Sequence, residues 1–214
     1  TEIGNCAFGD CTSLTSINVG SGNSRYCLDD GVLFNKDKTL LVRCPVGKNV
    51  KVYSIPDSVT EIGGYAFEGC TSLTSIIIPD SVTEIGGEAF RGCRSLTSIT
   101  IPDSVTEIEW GAFYGCTSLT SITIPDSVTE IGWYAFSGCT SLTSITIPDS
   151  VTKIGQYAFN GCTSLTSINV GSGNSRYCSA DGVLFNKDKT LLVRYPVGKN
   201  IKVYSIPDSV TEIG

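Results

Sequence analysis

One 23-residue segment recurs along this chain, and that period constrains the fold more than any other feature. Residues 78–100 read Ile-Pro-Asp-Ser-Val-Thr-Glu-Ile-Gly-Gly-Glu-Ala-Phe-Arg-Gly-Cys-Arg-Ser-Leu-Thr-Ser-Ile-Thr, and near-copies begin at Ile55, Ile101, Ile124 and Ile147. Self-similarity at a fixed period of this size marks a stacked solenoid, whose units bury their apolar faces only against neighbours. The whole of residues 1–214 is therefore expected to form one elongated domain.

Each unit carries Leu-x-x-Ile-x-Ile-Pro, as at residues 73–79, 96–102, 119–125 and 142–148. Alternation puts Ile76 and Ile78 on one face of a short strand and Ile77 on the other. Proline ends the strand because it has no N–H for a ladder, and Pro-Asp-Ser supplies a turn. Val82 and Ile85 then re-enter the core, and Gly-x-x-Ala-Phe-x-Gly reads as a short helical or 3₁₀ turn with Ala-Phe inward. Stacking predicts a parallel sheet of about eight strands on one face, roughly 40 Å long at ~4.8 Å per strand.

Two units depart from this length. Regular units run over residues 56–170, flanked by 36-residue units at 20–55 and 171–206. In the first, Val32-Leu33-Phe34 and Leu40-Leu41-Val42 flank a polar Asn-Lys-Asp-Lys-Thr link, which predicts an inserted β-hairpin; the second repeats it. Residues 1–63 and 152–214 match at an offset of 151, so the array reads as a repeat of blocks. Both ends break mid-unit at Thr-Glu-Ile-Gly, which suggests a window cut from a longer array.

Charge and composition narrow the function. The net charge is −6, with basic residues few and scattered, which argues against a nucleic-acid partner. No apolar run approaches the ~18 residues of a membrane span, so no membrane insertion is expected. There is no histidine to activate the many serines and no carboxylate pair with a private pocket, so the chain does not read as an enzyme and implies no cofactor. Cys70, Cys93, Cys116, Cys139 and Cys162 recur at the repeat spacing, with Cys11 in the same slot. They read as a buried column of small apolar residues; parallel Cβ vectors suit disulfides poorly, and without Cys-x-x-Cys or His no metal site is expected. Cys6, Cys27, Cys44 and Cys178 also read as packing residues, since the offset copy puts Tyr157 and Tyr195 where Cys6 and Cys44 stand.

The composite pattern Leu-x-x-Ile-x-Ile-Pro-x-x-Val-x-x-Ile-x-x-x-Ala-Phe-x-x-Cys resembles the BspA-like (treponemal-type) leucine-rich repeat. It recurs at residues 3–19, 59–78, 82–101, 105–124, 128–147 and 151–170. The resemblance implies an α/β repeat solenoid, a right-handed leucine-rich-repeat superhelix with a parallel β-sheet on one face, short helical or 3₁₀ turns on the other and two β-hairpin insertions. It also implies a secreted or cell-surface protein of adhesive function, binding an extracellular or host protein or a glycan. The Asn or Cys of the commonest leucine-rich repeats falls here on Ser81, Ser104, Ser127 and Ser150, leaving open whether Ser serves in the backbone-capping ladder.

Variation among the units points to a surface. The strand face is nearly constant, whereas the segment around Ala-Phe changes: Gly64-Tyr65-Glu68, Gly87-Glu88-Arg91, Trp110-Gly111-Tyr114, Trp133-Tyr134-Ser137 and Gln156-Tyr157-Asn160. Surface aromatics there suggest a binding patch formed by Tyr65, Trp110, Tyr114, Trp133, Tyr134 and Tyr157, or else aromatics that merely cover a neighbouring coil's edge. Acidic columns (Asp57, Asp80, Asp103, Asp126, Asp149 and Glu61, Glu84, Glu107, Glu130) read as solvated turns or as weak calcium sites. Rows of Ser75, Ser98, Ser121, Ser144 beside Ile77, Thr100, Thr123, Thr146 keep an ice-binding sheet open, and a structural spacer within a longer surface protein is the other alternative. Uncapped ends would also favour head-to-tail self-association.

Overall fold

In a 23-residue coil the apolar positions share one axis only if successive coils stack in register, and the side chains do so. The structure, a computed structural model, describes residues 3–4, 7–11 and 13–214. Val82, Ile85, Ala89, Phe90, Cys93, Leu96 and Ile99, with their counterparts in adjacent coils, form one continuous core. Phe67, Phe90, Phe113, Phe136 and Phe159 stand in a column with ring centroids 5.3, 5.5, 5.5 and 5.8 Å apart and planes within 7° of parallel. The expected interior is therefore present, and Phe90, Phe113 and Phe136 are each buried between the rings of the coils on either side.

The backbone hydrogen bonds are arranged differently from the single sheet expected. The Ser-Ile-Thr strands pair only two by two: Val52–Ser54 with Ser75–Ile77, Ser98–Thr100 with Ser121–Thr123, and Ser144–Ile147 with Ser167–Val170. Six strands, not eight, line this face among the described residues. Parallel strands of three or four residues make few, slanted bonds, so a small change in coil spacing removes a ladder without disturbing the buried Ile beneath. A second parallel ladder, not anticipated, runs through the Glu-Ile dipeptides: Glu61–Ile62 pairs with Glu84–Ile85, and Glu107–Ile108 with Glu130–Ile131 and then Lys153–Ile154.

The Gly-x-x-Ala-Phe segments are chains of hydrogen-bonded turns rather than helix. Alternate amides close turns within the coil (Ala89 N–H to Gly86 O, Arg91 N–H to Glu88 O), while those between reach the next coil (Glu88 N–H to Trp110 O, Phe90 N–H to Ala112 O, Gly92 N–H to Tyr114 O). Helix cannot propagate because two residues per segment are left-handed, such as Glu88 at φ 54° and Gly92 at φ 68°. The one 3₁₀ helix among the described residues, Val46–Lys48, belongs to a long unit.

In the long units, Tyr26–Asp29, Val32–Asn35 and Leu40–Arg43 form an antiparallel meander, repeated at Tyr177–Ala180, Val183–Asn186 and Leu191–Arg194. The last strand of each does not project away. Leu40 and Leu41 pair parallel with Glu61 and Ile62, so this strand takes the Glu-Ile slot of its coil.

Side-chain hydroxyls complete the stacking. Ser81, Ser104, Ser127 and Ser150 donate to the carbonyls of Val59, Val82, Val105 and Val128 in the preceding coil at 2.5–2.7 Å, so Ser does serve in the capping ladder. The buried Asn174 plays the same part in the second long unit, donating to Pro148 O and Val151 O. The thiols of Cys70, Cys93, Cys116, Cys139 and Cys162 donate likewise, Cys93 to Phe67 O and Cys116 to Phe90 O at 3.1 and 3.2 Å. Nine cysteines are free, with Cys6 lying outside the described residues.

A candidate binding surface along the turn face

Three columns of variable residues emerge from the turn segments, at 64/87/110/133/156, 65/88/111/134/157 and 68/91/114/137/160. Their backbone positions follow from the hydrogen-bonding just described. The middle column is left-handed in all five of these coils, with φ of 60° at Tyr65, 54° at Glu88, 59° at Gly111, 57° at Tyr134 and 59° at Tyr157. Glycine is the least costly occupant of such a position, and a bulky residue there is uncommon. Tyr nonetheless occupies three of these five positions.

Most of the predicted aromatic residues lie at the surface. Trp110 (48%), Tyr114 (41%), Trp133 (53%), Tyr134 (39%) and Tyr157 (54%) are exposed, while Tyr65 is half-buried. They gather in groups rather than in one continuous stack. Tyr134 and Tyr157 stack at 5.1 Å, and Tyr114 lies beneath the Arg91 guanidinium at 5.9 Å. Trp110 leans back across a whole coil to meet Tyr65 edge-on at 6.0 Å. It does so over Gly87, where an added Cβ would stand 2.2 Å from the indole Nε1. The bare glycine is thus what allows the indole to lie flat.

The electrostatics beside this ridge were only partly foreseen. Arg91 bridges Glu68 and Glu88 at 3.2 and 3.1 Å, and the buried Arg43 meets Glu68 at 3.4 Å and donates to Tyr65 O. Burial nonetheless pushes the Glu88 carboxyl above the usual carboxylate range, against the pull of Arg91. In the Glu column, Lys153 neutralises Glu130 at 2.5 Å. Burial raises Glu61, helped by Glu84 and Glu109. Burial likewise raises Glu109, opposed by a hydrogen bond from the Gly87 N–H and reinforced by Glu84 and Glu107.

Glu109 is the residue sequence reasoning missed. Its column is otherwise glycine (Gly63, Gly86, Gly132, Gly155), and that interruption was the available signal. A Cβ built on Gly86 would lie 2.6 Å from Gly64 N, and one on Gly132 2.6 Å from both Glu109 C and Trp110 N. The column faces the preceding coil's backbone at a distance only glycine tolerates. Where Glu109 stands, the Glu-Ile ladder is interrupted: one sheet ends at Glu84–Ile85 and another starts at Glu107–Ile108.

The other candidates form no convergent site. The Asp column is exposed, and Asp149 accepts the Gly173 N–H at 3.0 Å. Among the described residues no three His, Cys, Asp or Glu converge as metal ligands. Burial raises the Cys93 and Cys139 thiols well above their ordinary value and pushes Cys116 up to about 12 and Cys162 to about 11, which holds these four protonated. No helix among the described residues is long and apolar enough to cross a membrane.

Comparison with known proteins is consistent with this geometry. The family described as BspA type leucine rich repeat region matches in six copies over residues 1–28 and 46–166. A leucine rich cell surface protein from Faecalibacterium prausnitzii A2-165 is 39% identical with a TM-score of 0.73, covering 79% of this chain and 45% of its own. A leucine-rich repeat protein from Eubacterium ventriosum is 25% identical with a TM-score of 0.69, covering 95% of this chain and 52% of its own. The T. pallidum leucine-rich repeat protein is 28% identical with a TM-score of 0.62, covering 92% and 82%. This chain thus spans about half the length of the first two. No curated protein matches it.

Proposed function

The chain belongs to the BspA-type leucine-rich repeat family, and on that premise we propose that it is a non-enzymatic binding module of a secreted or cell-surface protein, engaging an extracellular protein or glycan through its turn face. One observation carries the choice of face. Tyr65, Tyr134 and Tyr157 hold left-handed backbone positions that glycine would occupy at lower cost, and a local cost kept in several coils points to a use of the side chain. Aromatic side chains that are exposed yet held in place by neighbouring coils lose little conformational entropy on binding, which is why Trp and Tyr dominate interaction hot spots.

The experiment compares this chain with Trp110→Ala, Trp133→Ala and Tyr134→Ala on immobilised extracellular-matrix proteins, mucin glycans and cultured cells. Binding by the parent chain and at least tenfold weaker binding by the variants, with unchanged circular dichroism, is the expected result. Equal behaviour of parent and variants would favour a spacer that displays other parts of a longer protein. An ice-binding sheet has less support. The strand ladder stops twice along that face, and Ile77 and Asn169 interrupt its threonine row.

A further inference from the structure

Charge is segregated along the solenoid. Residues 52–152 carry twelve carboxylates against two arginines, Arg91 and Arg94, a net of −10 within a chain of net −6. The remaining residues, mostly those of the long units, are accordingly net positive. Within the acidic stretch, some carboxylates have their own cation: Glu68 and Glu88 share Arg91, and Glu130 has Lys153. Among the described residues, Glu61, Glu84, Glu107 and Glu109 form no such ion pair. Glu61 and Glu84 are directly opposed across neighbouring coils, and Glu109 lies within reach of the fields of Glu84 and Glu107.

These four carboxylates border the aromatic ridge. Gly87 is the point of juxtaposition: the Trp110 indole lies over it, and Glu109 immediately precedes Trp110 in the chain. An exposed indole beside unpaired carboxylates suits a cationic side chain, which gains from both the ring face and the opposite charge. Since no three carboxylates among the described residues converge on one point, the complement is several separate positive charges rather than a single metal ion.

We propose that the surface around Gly87, bordered by Trp110, Glu61, Glu84, Glu107 and Glu109, docks an extended lysine- or arginine-rich segment of a partner protein. This rests on the turn-face reading above and narrows it, because a sulfated or sialylated glycan would meet the same carboxylates with like charge. The two tryptophans of the chain, Trp110 and Trp133, report on the surface directly.

The test titrates the chain with a twelve-residue lysine-glycine repeat peptide and follows tryptophan fluorescence. A saturable change is expected. It should weaken roughly tenfold in Glu107→Gln/Glu109→Gln, as two partly exposed charge pairs would imply, and again between 50 and 300 mM salt as screening shortens. Asp57→Asn/Asp80→Asn, in the turn column, should leave it unchanged. Glu107→Gln alone serves as a second variant should the double variant lose its circular dichroism signal. No fluorescence change, indifference to the Glu→Gln changes, an equal response to calcium alone, or binding to heparin would each overturn the proposal. So would low-salt self-association in sedimentation without peptide, which would make the cationic long unit of a second copy the occupant. If aromatic→Ala variants lose matrix or cell binding while Glu→Gln variants keep it, the turn face stands and the basic partner falls.

Discussion

Replacing Glu109 by glycine should stabilise the protein more than replacing it by alanine, the reverse of the usual order. In the other coils this column brings two backbone bonds and one hydroxyl bond to the neighbour: Gly132 N–H to Ile108 O, Thr129 N–H to Thr106 O, and the Thr129 hydroxyl to Thr106 O. Among the described residues, no counterparts join Glu109 and Thr106 to the preceding coil. A Cβ here meets backbone at 2.6 Å in the equivalent position of Gly132, about 1 Å inside ordinary carbon contact. The coil has to splay along this edge. Removing the Cβ lets three hydrogen bonds re-form at about 1 kcal/mol each, offset by about 1 kcal/mol for the greater freedom of glycine when unfolded. Alanine keeps the Cβ and so keeps the splay. Glu109→Gly should therefore exceed Glu109→Ala by about 2 kcal/mol, or roughly 4–8 °C in Tm for a chain of this size. Gly132→Ala should produce a second fault, at a cost of about 2 kcal/mol. Guanidinium denaturation followed by circular dichroism measures both, and hydrogen exchange at residue 109 reports whether the ladder closes. If Glu109→Ala equals or exceeds Glu109→Gly, the steric argument is wrong.

Two further expectations concern the core and the carboxylates. Phe113→Ala removes a fully buried ring stacked on both sides; it should cost about 4–5 kcal/mol, more than Phe159→Ala, whose ring stacks on Phe136 alone. Equal losses in denaturant titrations would count against a cooperative column. Burial raises the carboxyls of Glu61, Glu88 and Glu109 above the usual value of 4.5. The folded state therefore holds these protons more tightly than the unfolded chain. Their contribution is complete below about 4.5 and is lost as pH rises through the folded values, so the urea midpoint should be higher at pH 5 than at pH 7. Glu61→Gln/Glu109→Gln should flatten that slope; a midpoint that drops between pH 7 and pH 5 contradicts the assignment.

The same reasoning explains why the turn face carries the variation. The Phe, Cys, Val and Ile columns are each clasped by identical neighbours, so a change there is felt by two adjacent coils. Turn residues bond through their backbone to the next coil, which frees their side chains to differ without disturbing the stack.

The period, the apolar positions and the Ala-Phe pair already specified in sequence which residues share a core, because a repeat that buries nothing alone has only its copies to pack against. The aromatic positions were legible for the same reason, as departures from a constant pattern. What tertiary structure alone decided depends on distances between coils. Strands of three or four residues pair or part with small changes in spacing, so the sheet face became three ladders, and a second ladder formed through Glu-Ile where none was expected. The left-handed column, the burial of Arg43 and the fault at Glu109 belong to the same class. Each arises where one coil's backbone meets the next at a few ångströms, a contact that no single repeat contains.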